Sequence, residues 1–305
     1  MRMVNKGLRL ASSAPALLAH RSTSLQAPPC RFGDANVTAL SAAEAAVVTG
    51  LNRDGVFITD LMALNLSNAE SRNLVSTARG LASELAQRQP INARVVAEPA
   101  DVLRRPLLYR WGLNHVLLRI VETYMQQPLG YDGLLLFHTI ADPTGPEPKA
   151  WHLDREDSRM VKVALYLHDV DETRGPFQVL RKEIRHERGR IVYRSYDTAG
   201  LEQALGVQIT VDNTITCTGK VGTLVFTDTA RFYHRGMPVR GDSRSAIFYS
   251  YFGRPPRHPY FCDRSELTRA DLRALVAGME PAQQDCALWY RTLPRWQRII
   301  PPSRV

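Results

Sequence analysis

The chain has 305 residues, 44% hydrophobic and 23% charged, a balance that excludes wholesale disorder, a collagen-like repeat and a coiled coil. No run approaches the roughly 18 consecutive apolar residues of a membrane-spanning helix, so no membrane span is expected. Of the net charge of +9, five units come from Arg2, Lys6, Arg9, Arg21 and Arg31, and the remaining 34 basic and 30 acidic side chains leave +4, too little for a committed nucleic-acid binder.

Residues 1–40 read as a disordered or targeting segment. The first 33 are basic, contain Ser and lack Asp and Glu, which is the composition of a mitochondrial transit peptide or of an unstructured leader. Cytoplasmic residence is the expectation, with the mitochondrion as the alternative if this segment directs import. Cys30, Cys217, Cys262 and Cys286 form no CxxC pair, which points to reduced thiols rather than a zinc ribbon or a disulfide framework.

One folded domain is expected over 41–263. It opens with a helix over 42–51 and a turn into a short strand at Val56-Phe57-Ile58. Ser67 precedes a second helix reaching about Gln87, with Leu74, Ala78, Leu81 and Leu85 on one face. Residues 90–110 fit neither period, and a third helix spans about Asn114 to Gln127. After Tyr131-Asp132-Gly133 the pattern changes to short β-branched or aromatic segments at 134–140, 161–167, 177–180, 190–194, 208–212, 222–226 and 245–252. Strands without intervening helices argue an antiparallel sandwich or barrel, here with helices before and after it. Residues 264–305 return to helical pattern as a C-terminal extension, with Ser265 as N-cap of a helix over 266–278.

Familiar catalytic signatures are absent: there is no HExxH, GxSxG, Walker loop or GxGxxG. Trp151-His152-Leu153-Asp154 contains the one His-x-Asp of the chain, after a turn over Pro143 to Pro148. In extended backbone, residues two apart project to the same face, so imidazole and carboxylate converge as metal ligands. His234 completes two His and one carboxylate, the facial triad of non-haem Fe(II) oxygenases; His138 and His168 compete for that place. Arg244 begins an aromatic strand ten residues after His234, where a bidentate guanidinium can clamp the distal carboxylate of a dicarboxylic acid such as 2-oxoglutarate; Arg240 is the alternative. On the strand around 161–167, Lys162, Ala164 and Tyr166 share a face, which makes Tyr166 a candidate for the co-substrate pocket or a core tyrosine.

These motifs resemble the phytanoyl-CoA dioxygenase-like Fe(II)/2-oxoglutarate-dependent oxygenases. The resemblance runs with gaps from about Gly55 to Phe252. It is carried by Asp54-Gly55-Val56, by 114–140 leading into Trp151-His152-Leu153-Asp154, by Val163 to Val170 with Gly175-Pro176-Phe177, and by His234-Arg235-Gly236 with Arg244. It implies a double-stranded β-helix of jelly-roll or cupin-like type from about residue 131. It further implies iron ligation by His152, Asp154 and His234, a 2-oxoglutarate anchor at Arg244, and O2 as the second co-substrate. The family often has Trp at the pocket position held here by Ala164, and Val179 to Glu183 replaces its usual Pro-Gly-Ser-His segment. Retention of Asp154 points to hydroxylation, because the related halogenases replace this carboxylate with a small residue to admit chloride.

The densest basic stretch of the domain comprises Arg181, Lys182, Arg185, His186, Arg188, Arg190 and Arg194. It is read either as a field drawing in an anionic small-molecule substrate or as a solvated loop. Competing functional classes are a cupin-like metal- or ligand-binding protein without turnover and an oxygenase acting on a macromolecule.

Overall fold

The computed structural model describes residues 40–91, 93–141, 150–154, 156–184, 195–262 and 265–298. Ser41 starts helix α1 (Ala42–Asp54) with a capping box, its hydroxyl accepting from the Glu44 N–H while the Glu44 carboxylate accepts from the Ser41 N–H. Gly55, at φ 71°, ends the helix in the left-handed region and turns the chain directly into β1 (Val56–Asp60). A Cβ there would lie 2.2 Å from the Phe232 ring. Gly55→Ala therefore adds left-handed strain to overpacking and is expected to cost about 2–4 kcal/mol in urea denaturation; an unchanged midpoint would mean the turn relaxes freely.

Helix α2 (Ala69–Leu85) is capped by Asn68 and buries Leu74, Ala78, Leu81 and Leu85, the face its spacing predicts. The region 90–110 resolves into β2 (Arg94–Val96) and two short helices, α3 (Pro99–Leu103) and α4 (Pro106–Trp111), each with Pro in its first turn. Helix α5 (His115–Met125) precedes β3 (Leu129–Thr139). The remaining strands are β4 (Met160–Tyr166), β5 (Phe177–Glu183), β6 (Thr214–Cys217), β7 (Thr223–Asp228), β8 (Phe232–Gly236) and β9 (Arg244–Gly253).

All of the strand pairs are antiparallel. They form a six-stranded sheet in the order β1-β7-β4-β9-β3-β2 and a three-stranded sheet in the order β6-β5-β8, the two-sheet sandwich of jelly-roll type expected from the sequence. Period-2 alternation divides the larger sheet. Val161, Val163, Leu165, Ile247, Tyr249 and Tyr251 face the helices, in one core with α1, α2 and α5. Ala164, Tyr166, Val225 and Ala246 face the smaller sheet and pack with Phe177, Val179 and Cys217. Lys162, Ala164 and Tyr166 thus share the inner face, as their spacing predicts.

Several elements differ from the sequence reading, among them β8, which carries His234 and was not read as a strand. Strand β3 begins at Leu129, ahead of the expected 134, because Gly133 at φ 95° absorbs a register shift between Tyr131 and Gly133 and lets the strand run through an apparent turn. The expected strand at 208–212 is a loop closed by Asn213, whose side chain accepts from the Thr210 N–H and donates to the Gln208 carbonyl; the strand is β6. Helix α6 (Thr198–Leu205), capped by Asp197, was not read from the sequence. The C-terminal helix α7 spans Arg269–Leu275, because the Thr268–Asp271 capping box outcompetes Ser265. It is followed by α8 (Pro281–Ala287) and α9 (Arg295–Arg298). Of the disordered or targeting segment expected over 1–40, residues 1–39 lie outside the described residues, as do the Pro-rich turn and the strand expected at 190–194.

Candidate metal centre

Backbone pairing sews the His-x-Asp segment onto the end of the sandwich. Trp151 exchanges hydrogen bonds with Tyr196, His152 exchanges two of 3.1 Å with His234 on β8, and the Asp154 N–H donates to the Thr229 carbonyl at 2.9 Å. Beneath the segment, Trp151 is fully buried, with the Arg235 guanidinium 4.3 Å over its ring, the packing role its position suggests.

One ligand atom from each of His152, Asp154 and His234 lies within 4.8 Å of the others, the group of this kind found among the described residues. His152 Nδ1 is 3.0 Å from the Ala150 carbonyl and His234 Nδ1 is 3.2 Å from the Phe232 carbonyl. A carbonyl only accepts, so each Nδ1 carries the proton and each Nε2 presents its lone pair to the shared space. Burial, then the neighbouring His152 ring, hold His234 well below the usual histidine range, with Asp154 pulling the other way. Two neutral imidazole nitrogens and one carboxylate form a donor set suited to divalent iron or nickel. Asp154 Oδ2 stands 4.0 Å from His234 Nε2 and 2.6 Å from Lys162 Nζ. Lys162 as a partner of the triad was missed by the sequence reading, although a lysine on the inner face of Met160-Val161-Lys162-Val163-Ala164 is the signal that marks it.

His138 and His168 do not join the triad. They converge on Ser245, whose Oγ is 3.0 Å from His138 Nδ1 and whose N–H donates to His168 Nε2 at 2.6 Å.

Arg244, at the start of β9, is 6% exposed, and among the described residues no carboxylate pairs with its guanidinium. Desolvation lowers its pKa. A Cβ on Gly236 would lie 3.5 Å from Arg244 Nη2, so the guanidinium reaches across the sandwich to β8, two residues beyond His234. Arg240 is exposed. Ala164 is buried beside Phe248, and Tyr166 is buried with its hydroxyl donating to the Cys217 carbonyl at 2.5 Å. Tyr166 therefore contributes a ring to the inter-sheet wall while its hydroxyl is already engaged.

A buried network delivers His234. Tyr124 of α5 donates to Asp228 Oδ2 at 2.8 Å, Arg231 Nε donates to the same oxygen at 2.9 Å, and the N–H groups of Ala230 and Arg231 donate to Oδ1 at 3.2 Å. This fixes the turn between β7 and β8. In the basic stretch, Arg181 pairs with Asp54 at 2.7 Å and Lys182 Nζ donates to the Leu205 carbonyl, so both brace the fold; residues 185–194 lie outside the described residues.

Asp157 is buried, and desolvation pushes its carboxyl up to about 7 although Ser158 donates to it from N–H and Oγ. Between an unfolded value near ~4 and this folded value the native state holds a proton that the unfolded state releases, so stability falls as pH rises through that window. Asp157→Asn keeps the acceptor for Ser158 and removes the ionisation. Its stability gain over the parent is expected to be small at pH 5 and full at pH 8 in paired thermal melts, and a gain independent of pH would refute the assignment.

No family model matches the chain, and no curated protein matches it. Among solved structures it is similar to the epimerase SnoN in complex with Fe3+, alpha-ketoglutarate and nogalamycin RO, at 15% identity and TM-score 0.53, over 74% of this chain and 88% of that one. It is also similar to the non-heme alpha-ketoglutarate-dependent carbocyclase SnoK from nogalamycin biosynthesis, at 16% identity and TM-score 0.53, over 72% and 88%. HygX from Streptomyces hygroscopicus, with nickel, 2-oxoglutarate and hygromycin B bound, aligns at 14% identity and TM-score 0.50, over 73% and 90%. At these identities the likeness is one of fold.

Proposed function

We propose that the chain is an Fe(II)/2-oxoglutarate-dependent dioxygenase that hydroxylates a C–H bond of a small molecule, with His152, Asp154 and His234 as metal ligands and Arg244 as the anchor for 2-oxoglutarate. The observation that carries this reading is one inter-sheet space holding two outward-pinned imidazoles, a carboxylate and a buried guanidinium that lacks an acid partner among the described residues. Its fold neighbours support it, since SnoN and HygX bind iron or nickel together with alpha-ketoglutarate or 2-oxoglutarate and act in small-molecule complexes.

When bound, the metal supplies the oxidising chemistry, consuming O2 and converting 2-oxoglutarate to succinate and CO2. The protein supplies placement. Arg244 fixes the distal carboxylate by a charge-assisted fork, which aims the opposite end of the co-substrate at the triad. Ala164 and Tyr166 form the apolar wall between them and exclude water. Lys162 holds the Asp154 carboxylate in position and offsets its charge. Asp154 occupies the third protein position, which favours hydroxylation over halogenation.

Titrating the anaerobic protein with Fe(II) and 2-oxoglutarate tests the reading through the weak visible charge-transfer band. The parent is expected to show the band and His152→Ala to lose it. A folded parent with neither band nor metal uptake would overturn the proposal. Succinate release separates turnover from a binding role. Product mass separates hydroxylation, which adds one oxygen, from an epimerisation that leaves mass unchanged and a cyclisation that removes two hydrogens.

A further inference from the structure

Antiparallel register aligns Arg94 on β2, Thr139 on β3 and Arg244 on β9 in one row across the larger sheet, so all three lie on the face turned toward the smaller sheet. Arg244 is buried and Arg94 is half-buried, and no carboxylate pairs with either guanidinium among the described residues. Arg94 Nε and Thr139 Oγ1 are buried without a hydrogen-bond partner. Burial and the nearby Arg244 pull the Arg94 pKa down to about 10. Two partly or fully desolvated cations in one row, on either side of Thr139, call for two anions, and one co-substrate carboxylate at Arg244 supplies only one of them.

The surroundings of Arg94 differ from those of Arg244. Arg94 lines a cleft of about 450 Å³ with Val96, Pro99, Val102, Leu135 and Phe137, a lining that contains neither Arg244 nor any of the triad. Glu98 and Glu266 stand in the same lining, and neither forms an ion pair with Arg94. From this cleft a line of rings runs inward to the metal centre. The Arg94 guanidinium lies 4.3 Å over Phe137; Phe137 is 5.5 Å from Phe248, Phe248 is 6.5 Å from Phe177, and Phe177 is 5.2 Å from His234. Of these rings Phe137 lines the cleft beside Arg94, and Phe248 and Phe177 continue the packed stack from it into the sandwich as far as His234.

Resting on the oxygenase reading, we propose that Arg94 anchors the substrate: the cleft takes an amphiphilic small molecule whose carboxylate or phosphate pairs with Arg94 and accepts from Thr139, while its apolar body lies along Phe137, Phe248 and Phe177 toward the metal. The anion sets which end enters, and the length of the ring line sets which carbon is presented for oxidation.

Hexanoate, hexyl phosphate and 1-hexanol share one chain and differ in head group, so they serve as probes with the full-length protein in calorimetric titration. At least one anionic probe is expected to bind the parent about tenfold or more tightly than hexanol, the worth of one or two charge-assisted hydrogen bonds. The preferred head group identifies carboxylate or phosphate chemistry. Arg94→Met should erase that preference while leaving 2-oxoglutarate affinity within about twofold, and Arg94→Lys should restore part of it; circular dichroism melts confirm that the variants fold. Equal binding of all three probes to the parent overturns the proposal. So does an Arg94→Met variant that loses 2-oxoglutarate as strongly as the anionic probe, because Arg94 would then belong to the co-substrate. Failure of the oxygenase reading is seen separately, as absence of Fe(II) and 2-oxoglutarate uptake by the parent whatever the probes do.

Discussion

Arg244→Met is expected to reduce 2-oxoglutarate affinity by about 100-fold or more while leaving the metal-free protein as stable as the parent, or more stable. The first half follows from the fork geometry. Two charge-assisted hydrogen bonds to a carboxylate in a dry site are worth about 3–5 kcal/mol together, and methionine offers neither. The second half follows from the empty state. Arg244 is 6% exposed with no acid beside it among the described residues, so the free protein bears the desolvation of a cation without return. A methionine of similar length fills the same space without that cost. Arg244→Lys keeps the charge and loses the planar fork, so its affinity should fall between the two. The checks are a 2-oxoglutarate titration of the anaerobic Fe(II) protein and a thermal melt without metal. Retained affinity with a lowered melting point would make Arg244 a structural residue.

Asp228→Ala is expected to be the most damaging change away from the ligands, costing about 3–5 kcal/mol and weakening metal binding with it. The carboxylate is fully buried and accepts from Tyr124, from Arg231 and from two backbone N–H groups. Its loss leaves the Arg231 guanidinium with Glu183 as its remaining acid partner and the β7–β8 turn unpinned. That turn leads straight to His234, so the imidazole loses its aim as the fold loses stability. Tyr124→Phe removes one donor and leaves the ion pair, and should cost only about 1–2 kcal/mol. Urea denaturation and a metal titration on both variants test this ordering. If Asp228→Ala unfolds no more easily than Tyr124→Phe, the network is not what holds the turn.

Much of the centre was legible because it uses spacing alone. His152 and Asp154 sit two apart in extended chain, and Lys162, Ala164 and Tyr166 fall on one face by the same period. The His152–Asp154 pair follows from the first pattern and the inner wall from the second, whereas His234 rests on its context before Arg244 and on the family resemblance. The failures have different physical origins. The Asn213 side chain closes the loop at 208–212 from outside the window in which a strand is read. Helix α6 buries only Leu201, too little for a periodic signal, and its Asp197 cap was the one available cue. The start of α7 was decided by competition between two hydroxyl caps, which Thr268 wins through the reciprocal bond of Asp271. Arg94 was invisible for a different reason. A three-residue strand between prolines has no period, and the row it shares with Arg244 exists only once β3 has paired with both neighbours.

The paired main-chain bonds between His152 and His234 also govern when the centre can come into being. The two imidazoles belong to segments separated by β4 to β7, and each ring is aimed by a carbonyl of its own segment, so neither half is a metal site without the other. During synthesis, the first histidine leaves the ribosome well before its counterpart and waits through the closure of a long loop. Under the proposed ligation, metal uptake is expected only at the end of maturation, in the finished sandwich and not in a nascent or truncated chain that stops short of β8.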